Sequence, residues 1–196
     1  MIHYIPNMLT ILRIFLTPVF IYFLFWGSGH RYPVALIIFI LAGITDIYDG
    51  HLARRLNVES TMGKILDPIA DKILVLSAFI SFVTMGLIYA WMVALIILRD
   101  LLVTAIRFLL EYRGMPMTTS KRAKGKTAVQ ITIIILILSY LSLKSYQVTW
   151  VTEFVENGQL IMIFMFLTVL FTVYTGIDYF VVNRASIRTL AKPKTS

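Results

Sequence analysis

Four aspartates are the residues of this sequence best suited to chemistry. Asp46 and Asp49 stand three residues apart, and Asp67 and Asp71 four apart, in the stretch DIYDGHLARRLNVESTMGKILDPIADK. On a helix, offsets of three and four bring side chains to one face. Each pair therefore presents two carboxylates together. Clustered carboxylates without thiolate or imidazole among them favour a hard divalent cation such as Mg²⁺ or Mn²⁺. Four carboxylates can hold two such ions. They also need a cation, because their setting is apolar. A carboxylate at the centre of a bilayer costs about 2.5–3.5 kcal/mol on insertion scales.

The elements that carry them are membrane helices. Of 196 residues, 59% are hydrophobic and 14% charged, and the mean hydropathy is +0.84. A soluble domain of this length has too much surface for so little polarity. The chain has no cysteine. Disulfides, thiolate metal sites and cysteine nucleophiles are excluded, which leaves metal chemistry to oxygen, or to nitrogen from His3, His30 or His51.

About 20 helical residues cross about 30 Å of hydrocarbon. The hydropathy predicts six spans, near Arg13–Trp26, Pro33–Arg54, Pro68–Met85, Tyr89–Tyr112, Thr127–Leu143 and Gly158–Val182. The first is short unless Ile5–Leu12 extends it or lies along the interface, which its alternation of apolar and polar residues suits. No cleavable signal pattern follows the first apolar run. The expected fold is one all-α integral membrane domain, residues 1–196. It has an interfacial segment at 1–12 and a basic tail at 183–196.

Arg54, Arg55 and Lys64 occupy the second connection, Arg113, Lys121, Arg122, Lys124 and Lys126 the fourth, and Arg184, Arg188, Lys192 and Lys194 the tail. The other connections are poor in Lys and Arg. The positive-inside rule then places both termini in the cytoplasm. The net charge of +8 reads as topology and contact with anionic lipid, not as a nucleic-acid surface.

This topology puts both aspartate pairs at the cytoplasmic end of adjacent spans. Asp67 before Pro68 has the form of a helix N-cap followed by proline at the first helical position. The loop from Arg55 to Leu66 folds the third helix back beside the second, so that the pairs converge. Other readings stand beside this one: Asp67 as a plain cap, Asp49-Gly50 as a helix end or turn, and a cation pathway. An EF-hand fails. With Asp46 first, Tyr48, His51 and Asn57 fill the third, sixth and twelfth positions.

The spacing Asp46-x2-Asp49-Gly50-x2-Ala53-Arg54-x8-Gly63-x3-Asp67-x3-Asp71 resembles the signature of the CDP-alcohol phosphotransferase family at all eight fixed positions. Members are integral membrane enzymes of six transmembrane helices. They cleave the pyrophosphate of a CDP-linked substrate, pass its phosphatidyl or phosphoalcohol part to an acceptor hydroxyl, and release CMP. The resemblance implies that Asp46, Asp49, Asp67 and Asp71 ligate two divalent ions, and that Asp71 is the general base. It also implies a CDP-lipid site at Gly50, Ala53, Arg54 and Gly63. Gly50 and Gly63 would let backbone approach the nucleotide, and the fork of Arg54 suits a phosphate. Ser60 or Thr61 would add a hydroxyl, and Asn7 and Thr10 would close the site from the N-terminal segment. A homodimer is the analogy the family offers for assembly.

Outside the signature, IPNMLTILR, DPIADKILV, RDLLVTAIR and KGKTAVQ are similar to the branch of the family that joins CDP-diacylglycerol to sn-glycerol 3-phosphate. Asp100, where that branch more often has glutamate, and Ala123, where it has glycine, depart from it. A phosphorylated acceptor needs cations of its own. Arg107, on one face with Asp100 and Thr104, is one candidate, with a structural ion pair to an aspartate as the plain alternative. Lys124 and Lys126 are the others, unless they serve topology alone. Arg99 and Asp178 are expected to pair within a charge network. The expected site is a cytoplasm-facing one in a plasma membrane, and the expected reaction a single in-line displacement. Within the family, inositol phosphate, serine or phosphatidylglycerol are the competing acceptors. Outside it, a divalent-cation transporter or a non-catalytic membrane protein are the competing classes.

Overall fold

The computed structural model describes residues 5–27, 29–56, 61–115 and 121–191, with side chains over 11–27, 29–45, 72–115 and 125–189. Among these residues every regular element is helical. They are α1 (Ile5–Trp26), α2 (Arg31–Leu56), α3 (Thr61–Thr84), α4 (Ala90–Tyr112), α5 (Lys121–Ser145), α6 (Thr149–Asn157), α7 (Leu160–Val182) and α8 (Arg184–Ala191). Six long helices thus cover the six apolar segments of the sequence. Gly125–Ser145 in α5 and Leu160–Val182 in α7 are long and apolar enough to cross a membrane. The described parts of α1, α2 and α3 add shorter apolar stretches, Ile11–Trp26, Arg31–Thr45 and Lys72–Thr84.

Ile5–Leu12 continues into α1 as one helix, one of the two forms the sequence reading allowed. Two boundaries differ from that reading. α3 begins at Thr61, so Asp67 is not its N-cap and Pro68 stands inside it. A proline there removes the bond to the carbonyl four residues earlier and crowds that carbonyl, yet the helix runs through it. Asp49-Gly50 likewise lies within α2, which continues to Leu56, and marks no helix end. Two short helices, α6 and α8, were not foreseen. α6 packs on α5 and α7, and α8 on α4 and α7. Helices this short depend on such packing more than on their own propensity.

The core forms where α1 lies against both α2 and α3 and where α5 meets α2 and α7. Phe20, Phe39, Phe79, Phe82, Ile134, Ile137 and Leu138 are at most 2% exposed. The Phe20 and Phe39 rings meet with centroids 5.7 Å apart. The outer faces are equally apolar: Phe15, Ile37, Ile80, Leu98, Phe108, Ile163 and Ile177 are all exposed. Apolar surface on this scale marks contact with lipid or protein rather than water. Several hydroxyls inside the helices are satisfied by their own backbone. Thr17, Thr132, Ser142 and Thr168 each donate to the carbonyl four residues earlier, at 3.0, 2.9, 2.7 and 2.8 Å. In hydrocarbon no water is present to do this.

The turn from α1 to α2 is tight. A Cβ on Gly27 would lie 2.8 Å from both the Phe23 carbonyl oxygen and the Arg31 Cβ. The Arg31 guanidinium closes the turn, donating to the Phe25 carbonyl at 3.3 Å and to the Tyr32 hydroxyl at 2.8 Å.

Candidate active site

The signature residues fall on two helices. Asp46, Asp49, Gly50, Ala53 and Arg54 belong to the last three turns of α2, and Gly63, Asp67 and Asp71 to the first three of α3. Their side chains lie outside the described residues, as do those of Asn7 and Thr10 on α1 and of Lys124 on α5. Ser60 lies outside them altogether. Among the described residues no three carboxylates or imidazoles gather as a metal site.

What the structure does show is the space beside these segments. An apolar cavity of about 190 Å³ is walled by Arg13 of α1, Gly43 and Ile44 of α2, Leu74 and Val75 of α3, and Thr127 of α5, with their neighbours. Among the described residues, the α2 wall reaches to two residues before Asp46, and the α3 wall is first seen three residues after Asp71. Both aspartate-bearing segments therefore continue from helices that face one cavity. Arg13 is 2% exposed, a buried cation in a mostly hydrocarbon wall.

A second cavity, about 150 Å³, adjoins the first through Val75 and Thr127. Its lining sets the polar side chains of Lys72 from α3, Asp100 from α4, and Lys126, Thr127 and Gln130 from α5 beside the aliphatic Val75 and Leu76. Asp100 organises it. One carboxylate oxygen accepts from the Arg99 guanidinium at 3.1 Å, and the other from the Lys126 ammonium at 2.5 Å. Arg99 reaches across to α7, donating to the Thr175 hydroxyl at 3.2 Å. Gly176 makes room for it, since a Cβ there would stand 2.8 Å from Arg99 Cγ. Thr104 Oγ1 donates to the Asp100 backbone carbonyl at 2.6 Å and accepts from the Lys72 ammonium. Four helices are thus joined through Arg99, Asp100 and Thr104 of α4.

The three acceptor-side cations of the sequence reading fare differently. Lys126 is buried beside the second cavity, with Asp100 on one of its three donors. Arg107 is exposed on α4, within electrostatic reach of Lys72 and Tyr179. Asp100, its nearest candidate for an ion pair along α4, is engaged by Arg99 and Lys126 instead. Lys124 stands at the start of α5, and its side chain is not described. Lys72, Thr127 and Gln130 were not foreseen as site residues. The signal for Gln130 was present: it stands four residues after Lys126 in KGKTAVQ, and a Lys–Gln pair on one face of an apolar helix needs a polar space to face.

The cavity carries excess positive charge. Among its described lining residues, Lys72 and Lys126 carry two formal positive charges against the single negative of Asp100, and the Arg99 guanidinium meets that carboxylate from outside the lining. An enclosed space of this kind suits a small anion. It lies beside Val75, one helical turn after position 71.

The family model for CDP-alcohol phosphatidyltransferase matches residues 3–174. The CDP-diacylglycerol–glycerol-3-phosphate 3-phosphatidyltransferase of Bacillus subtilis (strain 168) is 35% identical, over 94% of this chain and 97% of its own. A probable phosphatidylglycerophosphate synthase of Mycobacterium tuberculosis (strain ATCC 25618 / H37Rv) is 38% identical, over 89% of this chain and 79% of its own. A CDP-diacylglycerol–glycerol-3-phosphate 3-phosphatidyltransferase of Rickettsia typhi (strain ATCC VR-144 / Wilmington) is 32% identical, over 90% and 94%. With its eight-position signature and a family match over most of its length, the chain belongs to the CDP-alcohol phosphatidyltransferases.

Proposed function

We propose that this enzyme transfers the phosphatidyl group of CDP-diacylglycerol to sn-glycerol 3-phosphate, giving phosphatidylglycerophosphate and CMP. The observation that carries the acceptor is the cavity that Lys72, Lys126 and Gln130 line, one helical turn from position 71. Serine offers no phosphate to such a space. The names of the relatives support the same acceptor.

In this reading the acceptor phosphate sits against Lys126 and Lys72, with Arg107 and Lys124 at the approach. The 1-hydroxyl of glycerol 3-phosphate attacks the β-phosphorus of CDP-diacylglycerol, and its proton passes to Asp71. The bond from that phosphorus to the bridging oxygen breaks, and CMP leaves with the electron pair. No covalent enzyme intermediate is needed. Gly50, Gly63, Ala53 and Arg54 hold the nucleotide, with Ser60, Asn7 and Thr10 at its edge. The diacyl tails extend from the head group into apolar surroundings such as the cavity below Ile44 and Leu74.

An all-oxygen donor set at Asp46, Asp49, Asp67 and Asp71 fits two Mg²⁺ or Mn²⁺ ions. When bound, they supply charge neutralisation for the pyrophosphate and the departing CMP. Six membrane crossings with both termini in the cytoplasm follow from the basic connections, and put the site on the cytoplasmic face of the plasma membrane.

The test is CMP release by detergent-solubilised enzyme given CDP-diacylglycerol and a panel of acceptors. Glycerol 3-phosphate should be turned over, EDTA should abolish turnover, and Mg²⁺ or Mn²⁺ should restore it. Strong turnover with serine or an inositol phosphate alone would overturn the acceptor. Asp71→Asn should lower CMP release by about 10²–10⁴-fold while CDP-lipid binding stays measurable. Wild-type turnover in that variant would remove Asp71 as base.

A further inference from the structure

The second cavity holds a group that the proposed reaction has not yet used. Gln130 is 1% exposed, yet its amide Nε2 has no hydrogen-bond partner. The side chain lines the same cavity as Lys72, Asp100 and Lys126. Leaving a buried donor unpaired costs about 1–3 kcal/mol, and an apolar side chain of the same shape would avoid that cost. Such a donor, facing an enclosed cavity, points to a ligand.

Its position narrows the ligand group. Gln130 follows Lys126 by four residues, so it lies on the same face of α5, about 6 Å further along the axis. The ionic groups cluster at the first level, where Lys72 meets Thr104 and Lys126 meets Asp100. At the second level Gln130 has Val75 and Leu76 for neighbours across the cavity. An amide among aliphatic side chains suits a neutral oxygen better than a dianion.

We propose that Gln130 is a specificity residue whose Nε2 donates a hydrogen bond to the middle hydroxyl of a phosphorylated three-carbon acceptor. This rests on the acceptor reading above. The phosphate stays at the level of Lys72 and Lys126, and the attacking hydroxyl at the level of position 71, next to Lys72 in sequence. The middle hydroxyl is the part that points one turn deeper. A site built to pair a hydroxyl discriminates against the analogue that lacks it, because the site's own donor is then left unpaired.

The experiment compares glycerol 3-phosphate with 3-hydroxypropyl phosphate, the same chain without the middle hydroxyl, at saturating CDP-diacylglycerol. Wild type should prefer glycerol 3-phosphate. In Gln130→Leu, KM for glycerol 3-phosphate should rise about tenfold. KM for 3-hydroxypropyl phosphate should move less than about twofold, so that the preference disappears. Without acceptor, the thermal midpoint of Gln130→Leu should equal or exceed that of wild type, since an unpaired donor has gone. The upward shift of that midpoint on adding glycerol 3-phosphate should shrink. Gln130→Met repeats every measurement with a different apolar shape. Equal losses with both acceptors would make the amide merely structural and overturn the proposal. So would an unchanged preference in a variant that still turns over glycerol 3-phosphate. No wild-type turnover of glycerol 3-phosphate would overturn the acceptor reading and this inference together.

Discussion

Two lysine–carboxylate pairs at opposite ends of α5 show what burial does to the same chemistry. Lys126 meets Asp100 at 2.5 Å, and Lys144 meets Glu156 at 2.7 Å. The first pair is about 10% exposed on both sides, while Lys144 and Glu156 are 58% and 49% exposed. The buried carboxylate also holds Arg99, and its backbone carbonyl holds Thr104. The exposed one accepts from the Tyr140 hydroxyl at 2.5 Å and ties α6 to the end of α5. Breaking a buried pair strands charge in a low dielectric, whereas water replaces an exposed partner at little cost. The distances are similar; the consequences are not. The buried network adjoins a cavity, and the exposed one closes a turn.

The sharpest way to break this comparison is Asp100→Ala. It leaves Arg99 and Lys126 facing each other without their counter-ion, and should cost about 3–5 kcal/mol, read as a large fall in the thermal midpoint. Asp100→Ala combined with Lys126→Met should recover part of that loss. If Asp100→Ala is as stable as wild type, the network is not what joins α4, α5 and α7.

Gly176→Ala comes next. The added methyl meets Arg99 Cγ, so Arg99 must shift away from Thr175. A cost of about 1–3 kcal/mol is expected for such overpacking, with a rise in KM for the acceptor as the Asp100 network moves. An unchanged midpoint would mean that Arg99 has room to spare.

Glu156→Gln should be the smallest effect, with a thermal midpoint close to wild type at neutral pH. The Lys144 ammonium, and after it the Tyr140 hydroxyl, hold the Glu156 carboxyl below its ordinary value of 4.5. A carboxyl with a lowered folded-state pKa stabilises the fold above its ordinary value, and that contribution is lost as pH falls through the lowered one. Any gap between wild type and Glu156→Gln should therefore be present above about pH 4.5 and close below it. Added salt should narrow it as well. A gap that widens in acid would contradict the assigned partners.

The long helices were legible because each apolar run is long enough to be a span and is bounded by charge or by a turn. The first turns of α3 were not, because Asp67-Pro68 has the local form of a helix start, while the backbone continues back to Thr61. α6 and α8 were missed for another reason. TWVTEFVEN and RASIRTLA carry no span-length hydrophobicity, and their helices depend on packing against neighbours.

Within the site, the amino-acid sequence by itself determined the family and the donor chemistry. Eight residue types at fixed spacing name the family, and the proposed hard-cation site rests on carboxylates without thiolates in the same stretch. Both are properties of local order along one stretch of chain. Tertiary structure decided the partners of the buried charges. That Asp100 belongs to Arg99 and Lys126 rather than Arg107, that Lys72 joins Thr104, and that Gln130 faces the same cavity from α5 depend on how α3, α4, α5 and α7 pack. A helix fixes which of its own residues share a face. Only the packing of several helices fixes what that face meets, and in a low dielectric that meeting sets the value of every buried charge.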